Sequence, residues 1–156
     1  MQGSLLEGLH GVKGLDAVAN AFAATVQTDI VNFKRHRKAL CIIHKGVGAT
    51  GTATITVQAC DNDAGANPVA IPFRYRAVLT GDTPSALIEA AAAGFVTTAG
   101  SSQLYLIEID AIEVGQAGKT WAFVKSVEVV ASPVLGGMLI VMAEPKFAPH
   151  TATVIV

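Results

Sequence analysis

Gly46-Val-Gly-Ala-Thr-Gly51 runs directly into Thr52-Ala-Thr-Ile-Thr-Val-Gln-Ala-Cys60, and this junction decides the fold. The glycines match the G-x-G-x-x-G pattern of dinucleotide-binding loops. Such a loop needs a strand before it and a helix after it, so that the helix N-terminus meets the pyrophosphate. A compact strand pattern, Ala39-Leu-Cys-Ile-Ile-His44, does come first. The run after the loop, Thr52 to Cys60, alternates with period two and is rich in β-branched residues, which is the signature of a second strand. The loop is therefore expected to be a hairpin connection, its glycines supplying positive-φ turn positions. No Gly-Lys-Ser/Thr succeeds it, so a phosphate-binding P-loop is excluded. No cofactor is expected.

Outward from the hairpin, the same period recurs. Ile71 to Leu79 alternates, with Arg74 and Arg76 on one face and Phe73 and Tyr75 on the other. Gln103–Val114, Thr120–Val130, Met138–Ala143 and Thr151–Val156 complete a set of seven strands separated by Gly, Asn, Asp, Pro and Ser clusters. The expected fold is mainly β: an antiparallel β-sandwich or barrel of seven or eight strands, with at most one or two short helices. Parallel α/β is disfavoured because crossover helices are missing. Ser85–Ala93 has strong helix propensity between Pro84 and Gly94 and reads as a short helix, with a strand as the alternative. Residues 1–28 read as an N-terminal arm before a single domain over 29–156. Their apolar residues recur every three or four positions, but Gly3, Gly8, Gly11 and Gly14 weaken an isolated helix. Asp16 to Ala24 is the better helix candidate there.

Composition narrows the function. The chain has 156 residues, 51% hydrophobic and only 15% charged, with a net charge of −1. Ordinary domains carry about 25% charge. Disorder is excluded, and no global field points to nucleic acid or an anionic membrane. Val129 to Ala143 is uncharged, but its fifteen residues, with Pro133 and Gly136-Gly137, fall short of a membrane-spanning helix. No basic and then apolar leader opens the sequence, so a soluble protein of a cytoplasm-like compartment is expected. The two cysteines, Cys41 and Cys60, are too few for a disulfide framework. Such a shortage of charge means either unusual burial or a surface that meets other protein.

The chemical motifs are weak. Cys41 and His44 point to opposite faces of a strand, so with Cys60 they make a poor zinc site; no metal is expected. Asp61-Asn-Asp-Ala-Gly65 starts like a calcium loop, but the position of the closing Glu is Pro72. No nucleophile elbow occurs, and an enzyme is not expected. Glu108 and Asp110 share a strand face, as do Arg74 and Arg76, which predicts a cross-strand charge ladder and not an acid–base pair. Lys34-Arg-His-Arg-Lys38 concentrates four basic residues in five positions. It is a solvated connection or a contact for an acidic partner surface; nucleic acid is disfavoured, since only Phe33 adjoins for stacking.

Thr28-Asp-Ile-Val31, the run His44–Asp61, Ile71-Pro-Phe-Arg-Tyr-Arg76, Gly94-Phe-Val-Thr-Thr-Ala-Gly100 and Gln103-Leu-Tyr-Leu-Ile-Glu-Ile-Asp110 together resemble small virion proteins of tailed bacteriophages. The resemblance covers roughly residues 28–145 and implies a head decoration, or cement, protein on the capsid exterior, present in the host cytoplasm during assembly. Its partners would be the major capsid protein and copies of itself in a symmetric oligomer such as a trimer. The family transfers no catalytic residues. The expected contacts are the arm residues Leu5, Leu6, Leu9, Val12 and Leu15 and the basic residues Lys34, Arg35, Arg37 and Lys38. A tail-tube or head–tail joining subunit is the structural alternative. A carbohydrate- or host-binding module using Trp121, Tyr75 and Tyr105 is the alternative of another class.

Overall fold

The computed structural model describes residues 8–48 and 50–146. Among these residues, two antiparallel sheets pack face to face, with one short helix and no closed barrel. Seven strands of six residues or more carry the fold: β1 (His10–Val18), β4 (His36–Gly48), β5 (Thr52–Cys60), β7 (Phe73–Val78), β10 (Gln103–Asp110), β11 (Trp121–Val130) and β12 (Val134–Pro145). Short strands fill the edges: β2 (Thr25–Gln27), β3 (Val31–Asn32), β6 (Val69–Ile71), β8 (Ile88–Ala90) and β9 (Phe95–Val96). The first sheet has the order β1-β12-β4-β10-β7-β8, and the second β2-β11-β5-β6, with β3 on β11 and β9 on β5. The connection from β4 to β5, expected as a hairpin, is not one: β4 and β5 lie in different sheets and do not pair, so the glycine-rich segment carries the chain from one sheet to the other.

Alternation builds the core. Ala39, Cys41 and Ile43 of β4, Tyr105, Ile107 and Ile109 of β10, and Met138, Ile140 and Met142 of β12 face inward. Ala53, Ile55, Val57 and Ala59 of β5 meet them from the second sheet. At about 25 cal/mol per Å² of apolar area, such fully buried Ile and Met side chains are each worth roughly 1.5–3 kcal/mol.

Three further expectations change. Asp16–Ala24 is not a helix: Asp16 to Val18 ends β1, and the chain then turns so that Ala21 N–H donates to Val134 O at 3.1 Å. β12 is apolar on both faces and needs a partner along its free edge; β1 supplies it, from His10↔Met142 to Val18↔Gly136. The described part of the N-terminal extension thus lies in the sheet, with Val12, Ala21 and Phe22 in the core. Ser85–Ala93 is not a helix either. Ser85 is tied to Ala77 in both directions (its N–H to Ala77 O at 2.8 Å, Ala77 N–H to its Oγ at 3.0 Å), and Ile88–Ala90 pairs with β7. Strand pairing at a sheet edge outweighs alanine's helix propensity. Finally, the strand expected over Gln103–Val114 stops at Asp110. The Asp110 carboxylate accepts from Ile112 N–H at 2.8 Å and caps α1 (Ala111–Gln116). The expected strand Thr151–Val156 lies outside the described residues. Among the described residues, no helix is long and apolar enough to cross a membrane.

Candidate interaction surface

The outward face of the first sheet is the unusual feature. Strand register sets residues in rows across β12, β4 and β10: Gly137, His44 and Leu104; Leu139, Ile42 and Leu106; Val141, Leu40 and Glu108. An antiparallel sheet with one solvated face normally turns polar residues outward. Here the middle row is wholly apolar, and single polar residues, His44 and Glu108, interrupt the first and third. Leu139 is 45% exposed and Leu135, at the start of β12, 47%. With β1 included, strands about 4.8 Å apart and rows about 6.8 Å apart cover roughly 400 Å², within the range of patches that serve as contacts.

Glycines shape this face into a groove. Gly137 carries no side chain because a Cβ there would sit 2.9 Å from Leu15 O and 3.0 Å from Ala17 Cα, where β1 folds close over β12. A Cβ on Gly46 would sit 3.1 Å from Leu135 O. The resulting groove holds about 780 Å³ between Leu15, Ile42, Leu104, Leu135 and Leu139. Its polar rim is Lys13, Asp16 and His44; Lys13 Nζ and Asp16 Oδ1 pair at 3.2 Å.

Further down the same face the surface turns charged. Arg74 opposes Glu108 across β7 and β10, as the sequence predicts, but the ion pairs formed are Lys38–Glu108 at 3.0 Å and Arg74–Glu89 at 3.4 Å. The Glu108 hydrogen bond raises the Lys38 pKa. Of the basic run, Lys34, Arg35 and Arg37 are exposed and Lys38 is half-buried. Lys146 joins them from β12's end: its N–H donates to Arg35 O at 2.8 Å and its Nζ to Phe33 O at 2.9 Å.

The expected arm contacts divide. Leu5 and Leu6 lie outside the described residues. Val12, at 4% exposure, faces the protein's own core and has nothing to offer a partner. Leu9 is half-buried; Leu15 is also half-buried and lines the groove. The carbohydrate alternative loses its aromatics. Tyr105 is buried, its hydroxyl accepting from Thr98 N–H and donating to Gln103 Oε1. Tyr75 stacks on Phe95 with ring centroids 4.0 Å apart, and Trp121 packs with Cys60 and Phe123.

Cys41 and Cys60 are buried free thiols on different sheets, and His44 points outward from the first. Among the described residues, no group of three metal-ligating side chains gathers. The Asp61 carboxylate is taken by Lys119 Nζ at 2.6 Å and Asn67 Nδ2 at 2.8 Å, and these bonds lower its pKa. Gly46 and Gly51 are not positive-φ positions. They allow close approach instead: a Cβ on Gly51 would strike Ser132 O. The glycine-rich loop also hides a lysine that sequence reasoning missed. Lys45 is 2% exposed, and its Nζ donates to Gly51 O at 3.2 Å and Thr98 O at 2.6 Å. Desolvation lowers its pKa.

No family model matches the chain, and no curated protein matches it. Among solved structures, the SPBc2 prophage-derived protein YomS is similar over 87% of this chain and 93% of its own, with a TM-score of 0.50 and 11% identity. That likeness is one of fold. A structure of infectious bursal disease virus aligns over 88% of this chain and 42% of its own, at a TM-score of 0.27 and 11% identity.

Proposed function

We infer that this chain is a structural protein of a tailed-bacteriophage virion, a decoration protein that binds the assembled head and stabilises it. The observation that carries the reading is the apolar, grooved part of the first sheet's outer face, around Leu135 and Leu139. A β-sandwich that leaves two leucines nearly half exposed within an apolar patch on one face is a subunit completed by neighbours. The neighbours are the major capsid protein and further copies of this chain. The sequence resemblance and the fold shared with a prophage-derived protein support the same reading. On this reading the protein works by adding interface.

The test is reconstitution. Purified protein is added to heads that lack it, and copies per particle are counted after sedimentation. Saturable binding and slower release of packaged DNA on heating are expected. The double variant Leu135→Lys with Leu139→Lys loses most of its occupancy while keeping the wild-type Tm. Failure of the wild-type protein to bind heads, or its polymerisation into tubes in negative stain, would overturn the decoration role; tubes would point to the tail.

A further inference from the structure

We propose that a cavity at the β4–β5 end of the sandwich holds one ordered water, and that this water joins the Lys45 ammonium on the first sheet to the Glu128 carboxylate on the second. The site is internal and does not depend on what the outer face binds.

Strand alternation brings the two charges together. Lys45 follows Ala39, Cys41 and Ile43 along the inner face of β4, and Glu128 follows Ala122, Val124 and Ser126 along the inner face of β11. Both line a cavity of about 10 Å³, together with Thr52, Thr97, Ser132 and Val134. A water needs roughly 10–15 Å³ of free space, so the cavity takes one water and nothing larger. The two charges do not touch. Among the described residues the ion pairs are Lys13–Asp16, Lys38–Glu108, Arg74–Glu89 and Lys119–Asp61, so Lys45 and Glu128 face each other only across the cavity.

Hydrogen-bonding capacity selects water as the ligand. An ammonium has three N–H donors. Lys45 spends two, on Gly51 O at 3.2 Å and Thr98 O at 2.6 Å, both neutral carbonyls. The third needs an acceptor, because a buried donor left unmade is costly. Thr97 Oγ1 accepts from Ala53 N–H at 3.0 Å and keeps its own proton to give. The Glu128 carboxylate, with about four lone-pair sites, spends one on Ala24 N–H at 3.0 Å. One water can accept from Lys45 and Thr97 and donate to Glu128, which gives it the partners a buried water requires. A metal cation fits poorly, since the ammonium repels it. The bridge also reaches a strained turn. Ala24 takes a φ of 53°, unfavourable for a residue other than glycine, and Glu128 holds it in both directions, its own N–H donating to Ala24 O at 2.7 Å. Ala24, Glu128, the water, Lys45, Gly51 and Thr98 thus form one run of hydrogen bonds between the sheets. Gly46 and Leu135, next in sequence to Lys45 and Val134, line the outer groove, so this run braces the groove's floor from within.

The experiment pairs a crystal structure of the full chain that shows ordered waters with a double-mutant cycle. Density for a single water within hydrogen-bond distance of both Lys45 Nζ and a Glu128 carboxylate oxygen is expected. A cavity without density, or a direct Lys45–Glu128 ion pair, overturns the inference. In urea denaturation, Lys45→Met and Glu128→Gln are each expected to lower the folding equilibrium constant at least about fivefold. Glu128→Gln added to Lys45→Met is expected to lower it less than about twofold further, because the link is already broken. Effects that multiply overturn the water as a link between the two charges, even with density in place. Should Lys45→Met fail to fold, the coupling is read between Glu128→Gln and Thr97→Val, with the same two outcomes.

Discussion

Lys45 shows how much one buried charge ties together. Its ammonium joins the β4–β5 turn, through Gly51 O, to the segment after β9, through Thr98 O. Thr98 in turn donates to Tyr105, and Tyr105 to Gln103. Lys45→Met keeps the apolar stem and removes the donor, leaving two carbonyls short of a partner at a cost of about 1–3 kcal/mol. The expected result is a Tm lower by roughly 3–10 °C; a Tm within 1 °C of wild type would show the ammonium to be dispensable. Cys41 gives a pH signature. Burial pushes its thiol from an ordinary 9.0 up to about 12. Above pH 9 the unfolded chain sheds this proton and the folded chain keeps it. The folded state then binds more protons, and stability falls as pH rises, by about 1.4 kcal/mol per unit. Cys41→Ala lacks this slope. The stability advantage of wild type over Cys41→Ala, measured by urea denaturation, should shrink by about 1–2 kcal/mol between pH 8 and pH 10.5. A constant difference would mean that the folded thiol titrates normally.

At the scale of elements, β1 is where sequence and structure part most clearly. Its glycines and three-to-four spacing hid a strand because the strand is irregular. Register shifts occur on either side of Leu15, and Gly14 takes a φ of +75°. An interrupted strand loses the period of two that makes strands legible. The regular strands kept it, so β5, β7 and β11 stand close to their expected limits, while β4 extends beyond Ala39–His44 at both ends. The glycines of β1 and β12 yield a paired prediction. Gly137→Ala pushes a methyl against β1 backbone and should cost about 1–3 kcal/mol. Gly11→Ala, in β1, meets nothing within 4 Å and should be neutral or stabilising by up to about 1 kcal/mol. Equal effects in urea denaturation would contradict this account of Gly137. Removing residues 1–27 is a harsher change. It strips β12 of its edge partner and takes Val12, Ala21 and Phe22 from the core, so loss of the cooperative transition is expected, not a folded core without an arm.

At the scale of the whole molecule, the low charge content is a matter of place. The uncharged stretch Val129–Ala143 is β11's end and most of β12, and it turns Val129, Val130, Leu135 and Leu139 outward. Composition could flag the excess, and the unbroken apolar runs Ala39–Ile43 and Met138–Met142 already imply strands apolar on both faces. What sequence could not show is that register sets Leu139, Ile42 and Leu106 side by side while β1's close approach and two glycines hollow a groove beside them. The molecule therefore offers two rival contacts: this apolar face, and the basic cluster of Lys34, Arg35, Arg37 and Lys146. Salt separates them. An interface resting on exposed charge weakens as ionic strength rises and its Debye length shrinks from about 10 Å at 0.1 M to about 3 Å at 1 M. An apolar interface is indifferent to sodium chloride and strengthened by sulfate, which is excluded from protein surface. Head occupancy should therefore change less than twofold between 0.1 and about 1 M sodium chloride and rise in ammonium sulfate. Replacing Lys34, Arg35 and Arg37 with alanine should leave the 1 M value unaltered. A tenfold fall in occupancy across the same sodium chloride range would assign the contact to the basic cluster instead.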